Sequence, residues 1–323
     1  MLLSCLQDDA SADTSQYMQL SILRSENNNE SNKPCFIFWK QTDYLDAAFP
    51  ANPSTPYVYR HPEGVIDDYK VPKYNTQYVY PPYSEWVHAV GVSPGNLIST
   101  SNTNWKEFDI PETKAGLIDI QCAPDVRGSQ QSPFSDPLVF AHQLTKLEIQ
   151  GYCGSSMKDG DKHVNVKEIS VSISSDSASQ WKLFPQKLEW DHGSGNDGQY
   201  KVIAYTSKPS SEIVAEILAK DTILYGNIDT SKENAKLIGN FYFVPGFNTI
   251  TLKIEATYED FTTDGKTEIN RIWNTVTISG IHPEIGNTVT SAGESYPVKL
   301  MFDRSQIILG AELEGWGPGE IHN

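Results

Sequence analysis

Histidine, cysteine and clustered carboxylates are the residue types that hold metals or move protons, so their spacing bounds the chemistry open to this chain. The seven histidines, His61, His88, His142, His163, His192, His282 and His322, include no His-x-x-x-His pair that would set two ligands on one helical turn. Gly193-Ser194-Gly195 is a flexible loop without the strand-turn-helix setting of a nucleophilic serine. No Gly-x-x-x-x-Gly-Lys phosphate loop occurs. Asp159-Gly160-Asp161 and Asp191 to Asp197 are acidic enough to attract calcium, but neither carries the alternating oxygen ligands ending in Glu of an EF-hand, and hairpin turns account for both. The expectation is a protein without metal, cofactor or catalytic residues, and not an enzyme.

The four cysteines, Cys5, Cys35, Cys122 and Cys153, form no Cys-x-x-Cys pair. Cys35, Cys122 and Cys153 are expected to pack as small apolar side chains, with one disulfide among them as the alternative. Cys5 has a different setting. Met1-Leu2-Leu3-Ser4-Cys5 looks like the end of a bacterial lipoprotein signal, two apolar residues and a small one before the cysteine that takes the lipid. Asp8, Asp9 and Asp13 follow, like the acidic tether of lipoproteins that reach the outer face of an outer membrane. Each buried acyl methylene contributes about 0.8 kcal/mol, so a multiply acylated Cys5 would anchor a soluble domain without a spanning helix.

Composition narrows the partners. Asp and Glu number 41 against 25 Lys and Arg, a net charge of -16 that repels the phosphate backbone and excludes nucleic acid. With 16 Tyr, 12 Phe and 7 Trp, the chain of 323 residues has the bulk for proper cores and the length of two domains.

Those side chains must be positioned by strands, because apolar residues recur with period two. Ile250, Leu252, Ile254 and Ala256 share one face of a strand over Thr249 to Thr257, opposite Thr251, Lys253 and Glu255. Val164 and Val166, then Ile169, Val171 and Ile173, form another whose phase slips once, as at a bulge. Val298, Leu300 and Phe302 pair with Ile307, Leu309, Ala311 and Leu313 across Asp303 to Gln306 in a closing hairpin. Asp159-Gly160, Asp197-Gly198 and Asp264-Gly265 supply the turns, so the sheets are antiparallel. Only Ser211 to Lys220 has helical spacing, with Ile213, Val214, Ile217 and Leu218 on one face and a Ser for the N-cap. The fold class is all-β, two antiparallel β-sandwich domains with at most one or two short helices.

The apolar-poor stretch Ala123 to Asp136 sets the boundary, giving domains over residues 1–134 and 135–323. Tyr57, Tyr59, Tyr69, Tyr74, Tyr78, Tyr80 and Tyr83 crowd a Pro-rich segment, as sheet-surface residues or as a rigid surface for sugar or protein.

Three ordered segments carry a resemblance. Pro137 to Leu147 is an apolar strand with Phe140-Ala141-His142 and then Lys146; Phe241-Tyr242-Phe243-Val244-Pro245 precedes the strand from Ile250; Gly293 to Leu300 leads through Ile307-Ile308-Leu309 to Trp316. In this order they resemble the fimbrillin-like family, the type V pilus subunits and fimbrial surface lipoproteins of Gram-negative gut and mouth bacteria. Gly246 stands where that family commonly has Gln, and the N-terminal half matches only loosely.

The resemblance implies transthyretin-like sandwiches, an outer-membrane lipoprotein precursor lipidated at Cys5, and a place at the cell surface or in a fimbrium. It further implies a stalk, tip or anchor role in adhesion, with other pilus subunits or host and bacterial surface ligands as partners. In such pilins an Arg-specific protease removes the first strand and a neighbour's strand fills the groove. Arg24, the first basic residue of the chain, follows the strand-like Met18 to Leu23 and is the candidate cleavage point. Gln306, Ile307, Ile308, Leu309, Gly310, Ala311, Glu312 and Leu313 form the candidate donor strand. The alternative is a monomeric surface glycan-binding lipoprotein.

Overall fold

The structure, a computed structural model, describes residues 17–24, 35–40, 57–60, 73–80, 86–97, 107–160, 162–176, 178–191, 198–261, 267–279 and 289–310. The chain forms two compact units, one of residues 1–96, 122–140 and 191–199, the other of residues 97–121, 141–190 and 200–323. The units are thus interleaved in sequence.

The first unit is built on β1 (Tyr17–Arg24), β2 (Cys35–Lys40), β3 (Tyr57–Arg60), β4 (Lys73–Val79) and β5 (Val87–Ser93). After the short β6 (Glu107–Asp109), β7 (Gln121–Gly128) and β8 (Leu138–His142) complete a seven-stranded sheet in the order β3-β2-β5-β7-β8-β1-β4. Every residue of β5 is buried, as suits a strand in the interior of the sheet. Val87 and Ala89 pack with Tyr80, Ala123, Leu138 and Phe140.

The second unit continues through β9 (Thr145–Cys153), β10 (Lys158–Asp159), β11 (Lys162–Ser174), β12 (Pro185–Asp191), β13 (Gln199–Ala204), β14 (Val214–Ala219) and β15 (Leu224–Tyr225). It closes with β16 (Lys236–Phe243), β17 (Thr249–Phe261), β18 (Thr267–Ser279), β19 (Ser295–Asp303) and β20 (Gln306–Gly310). One sheet runs β10-β11-β17-β18, with β14 and β15 also on β11; a second runs β16-β9-β19-β20; a third joins β13, β12 and β6. The first two supply the main core, Val171, Ile254 and Val276 from one and Ile149, Phe241, Leu300 and Phe302 from the other.

The period-two reading holds at residue level. Ile250, Leu252, Ile254 and Ala256 are all buried. The register of β11 against β17 shifts between Val166 and Glu168, where the alternation of the sequence slips. The closing hairpin sets Phe302 opposite Ile307 and Asp303 opposite Gln306, leaving Arg304-Ser305 as its turn. Gly160 takes φ +58° in the turn between β10 and β11, a conformation a side chain would strain. Cys122 and Cys153 are buried free thiols, and burial pushes the Cys153 thiol up to about 12. The side chain of Cys35 and the turn residues Asp197, Asp264 and Gly265 lie outside the described residues.

One expectation is corrected. The helix over Ser211 to Lys220 is strand β14, paired antiparallel to β11 from Ser174 opposite Val214 to Ile169 opposite Ala219. A short isolated helix is marginal in water, whereas the β-branched residues at 213, 214 and 217 suit a strand and β11 offers an edge to pair with. Among the described residues, helix occurs only as short 3₁₀ turns such as Glu112–Lys114 and Gln180–Leu183. The sheets are mainly antiparallel, as expected, and contain two parallel pairs, β1 with β8 and β9 with β19. Parallel neighbours require long connections, and these pairs join segments far apart in the chain.

Candidate functional site

Strand β1 is held by backbone pairing along both edges. Tyr17, Gln19, Leu20 and Ser21 lie opposite Val79, Asn75, Tyr74 and Lys73 of β4, with one register shift between Tyr17 and Gln19. Ile22, Leu23 and Arg24 run parallel to Leu138, Val139 and Phe140 of β8. Arg24 is therefore the last residue of β1.

The strand beside β1 carries part of the core of its unit. Leu138 and Phe140 belong to the core of the first unit. The Phe140 ring lies against Gly91 so closely that a Cβ there would sit 2.3 Å from its Cζ. Glycine at 91 is what allows β5 to approach the ring. Tyr80 braces the same region, its Oη accepting the Phe134 N–H at 2.9 Å. β1 therefore covers the edge of β8 along Leu138, Val139 and Phe140.

Two histidines make short contacts with carboxylates. His88 Nδ1 of β5 lies 2.7 Å from Asp125 Oδ2 of β7, both side chains buried. In the second unit His142 Nδ1 lies 2.9 Å from Asp119 Oδ1, and Asp119 Oδ2 accepts from Gln121 Nε2 at 3.0 Å. The Phe-x-His segment of the sequence thus ties the end of β8 to the turn before β7. Nearby, Lys146 Nζ and Gln150 Nε2 both donate to Glu148. Burial pushes the Glu148 carboxyl up, and those two bonds with the Lys146 charge more than offset it, so it lies below the usual range. Burial, then the charges of Asp119 and Glu148, raise the Tyr242 phenol to about 12. Each contact ties adjacent segments of one unit. Among the described residues no group of three or more His, Cys, Asp or Glu side chains is placed to hold a metal ion.

The remaining sequence-singled residues fall in different places. Gln306 to Gly310 form β20, with Ile307 buried and Leu309 packed against the core. Ala311, Glu312, Leu313 and Trp316 lie outside the described residues, as do Cys5, Asp161, residues 192–197, Tyr69 and Tyr83. Among the described residues no helix is long and apolar enough to cross a membrane.

The chain aligns over 94% of its length with 100% of a fimbrial protein from Bacteroides vulgatus, at 14% identity and TM-score 0.52. It shares that protein's fold. Candidate cell adhesion proteins from Bacteroides uniformis (13% identity, TM-score 0.45, 94% of this chain and 100% of that one) and Parabacteroides distasonis (8%, 0.45, 95% and 99%) also align. No protein-family model matches the chain, and a search of curated proteins finds no match.

One feature of the second unit is not anticipated by the sequence. Trp273 and Ile269 point to solvent from β18, 77% and 71% exposed. The signal was present: once buried Val276 and Ile278 fix the inward phase of β18, positions 269, 271 and 273 must face out.

Proposed function

We propose that the chain is a fimbrillin-like subunit of a cell-surface fimbrium, acting in adhesion and joining its neighbours by β-strand exchange. The observation that carries this is β1, paired to β4 and β8 and ending at Arg24. A cut after Arg24 severs the strand from the rest of its unit at the first residue where a trypsin-like protease can act, and frees the edge of β8 that Ile22, Leu23 and Arg24 had covered. An incoming strand would recover the lost backbone bonds, so assembly is driven by the pairing that cleavage removes. The fold shared with a fimbrial protein supports the same reading.

Cys5 is assigned as the lipidated residue of an outer-membrane precursor, and Gln306 to Leu313 as the donor strand. Donation by β20 requires its ladder with β19, from Lys299 opposite Gly310 to Asp303 opposite Gln306, to open. No catalytic role is assigned.

The decisive experiment incubates the purified chain with an Arg-specific protease. A single early nick after Arg24 followed by an SDS-resistant ladder is expected, and Arg24→Ala should give neither. A chain that polymerises equally well uncut, or is first cut elsewhere, sinks the strand-exchange role of β1.

A further inference from the structure

Pairing in the larger sheet of the second unit sets its solvent-facing side chains in rows. Leu218, Ser170, Glu255 and Trp273 lie opposite one another across β14, β11, β17 and β18. Trp273 ends the row on the outermost strand with its indole open to water. So exposed an aromatic plane on a rigid strand is a feature of recognition surfaces.

The charges around it cancel locally. Arg271 Nε lies 2.8 Å from Glu255 Oε1, and Lys253 Nζ lies 3.1 Å from Asp176 Oδ2. Hydroxyl groups fill the spaces between: Ser170 Oγ donates to Glu216 at 2.6 Å, and the Thr251 and Thr277 oxygens are 3.2 Å apart. Among the described residues, the face therefore presents an aromatic platform, hydroxyls, the Arg271–Glu255 and Lys253–Asp176 ion pairs and the Glu216 carboxylate bonded by Ser170. A polyanion would find no excess positive charge there. A neutral polyhydroxylated chain matches both elements, its C–H faces stacking on the indole and its hydroxyls exchanging bonds with Arg271, Glu255 and the Ser and Thr rows.

We propose that the exposed face of β17 and β18 binds a neutral carbohydrate chain, with Trp273 as the stacking platform and the Arg271–Glu255 pair as the hydrogen-bonding group beside it. This goes beyond subunit assembly and does not depend on it.

The test is affinity electrophoresis of the full uncut chain through gels containing a neutral β-glucan, mannan, xylan or galactan, with polygalacturonate as the charged control. At least one neutral polysaccharide should retard the wild type and polygalacturonate should not. Trp273→Ala, with an unchanged circular dichroism spectrum because the side chain is exposed, should weaken association about tenfold or more. Trp273→Phe should keep part of the retardation. The proposal is overturned by unaltered mobility in all four neutral gels, or by retardation that survives Trp273→Ala. It is equally overturned if Trp273→Ala changes only the sedimentation coefficient, which would make the face a contact for protein. Because the protein is uncut, these outcomes are independent of any processing at Arg24.

Discussion

Cleavage after Arg24 followed by removal of the fragment should destabilise the first unit by an amount that the strand pairings set. β1 makes seven backbone pairings, four with β4 and three with β8. At about one hydrogen bond per pairing and roughly 0.5–1.5 kcal/mol net for each, the loss is on the order of 4–10 kcal/mol. That rivals the roughly 5–15 kcal/mol that holds a typical domain folded, so the cut unit should survive only marginally until another strand enters. The assay is urea unfolding of intact protein and of cut protein after gel filtration, followed by amide exchange in β8. With m of about 1–3 kcal/mol/M, the midpoint of the first unit should fall by at least about 1 M while that of the second stays put. Excess synthetic peptide of residues 17–24, Tyr-Met-Gln-Leu-Ser-Ile-Leu-Arg, should restore it, and a scrambled peptide should not. A cut protein that keeps its midpoint without the fragment would refute the exchange, because β1 would then contribute nothing that an incoming strand could replace.

Three further outcomes follow from the same geometry. Gly91→Ala forces a methyl group into the Phe140 ring and should cost the first unit about 1–3 kcal/mol in urea unfolding, with Phe140→Leu recovering part of it; an undiminished midpoint would show that the ring does not lie over residue 91. Leu300→Cys with Leu309→Cys places two thiols opposite each other on β19 and β20, and the oxidised protein should be unable to polymerise after Arg24 cleavage; ladders formed with the staple intact would remove Gln306 to Leu313 as the donor. The Glu148 carboxyl, held low in the folded chain, should titrate below 4.5 by carbon NMR. Its stabilising contribution is present above that value and fades as pH falls through the folded pKa. Lys146→Met should move the titration upward, and no movement would mean that the Lys146 bond is not what holds it low.

Much of the molecule was legible in the chain because period-two alternation is a local property. The buried face of β17, the slip in β11 and the turn at Arg304-Ser305 each follow from a dozen residues or fewer. The spacing over Ser211 to Lys220 misled because four apolar residues fit a helix face and a strand edge alike; the open side of β11 decided between them. Arg24 was legible as the first basic residue after a strand-like run, but nothing local places that run between β4 and β8.

By itself, then, the sequence determined the acidic all-β character, the faces of the long strands, the closing hairpin and the end of β1. Tertiary structure alone decided the parallel pairings of β1 with β8 and of β9 with β19, the interleaving of the two units, the closure of His142 on Asp119, and Trp273 as the solvent end of a row begun by Leu218. The physical reason is one of range. A side chain's period and propensity act over a few residues, whereas which strand lies alongside is settled by closing loops of tens to hundreds of residues, and the cost of such closure changes too slowly with length for neighbouring residues to encode the partner.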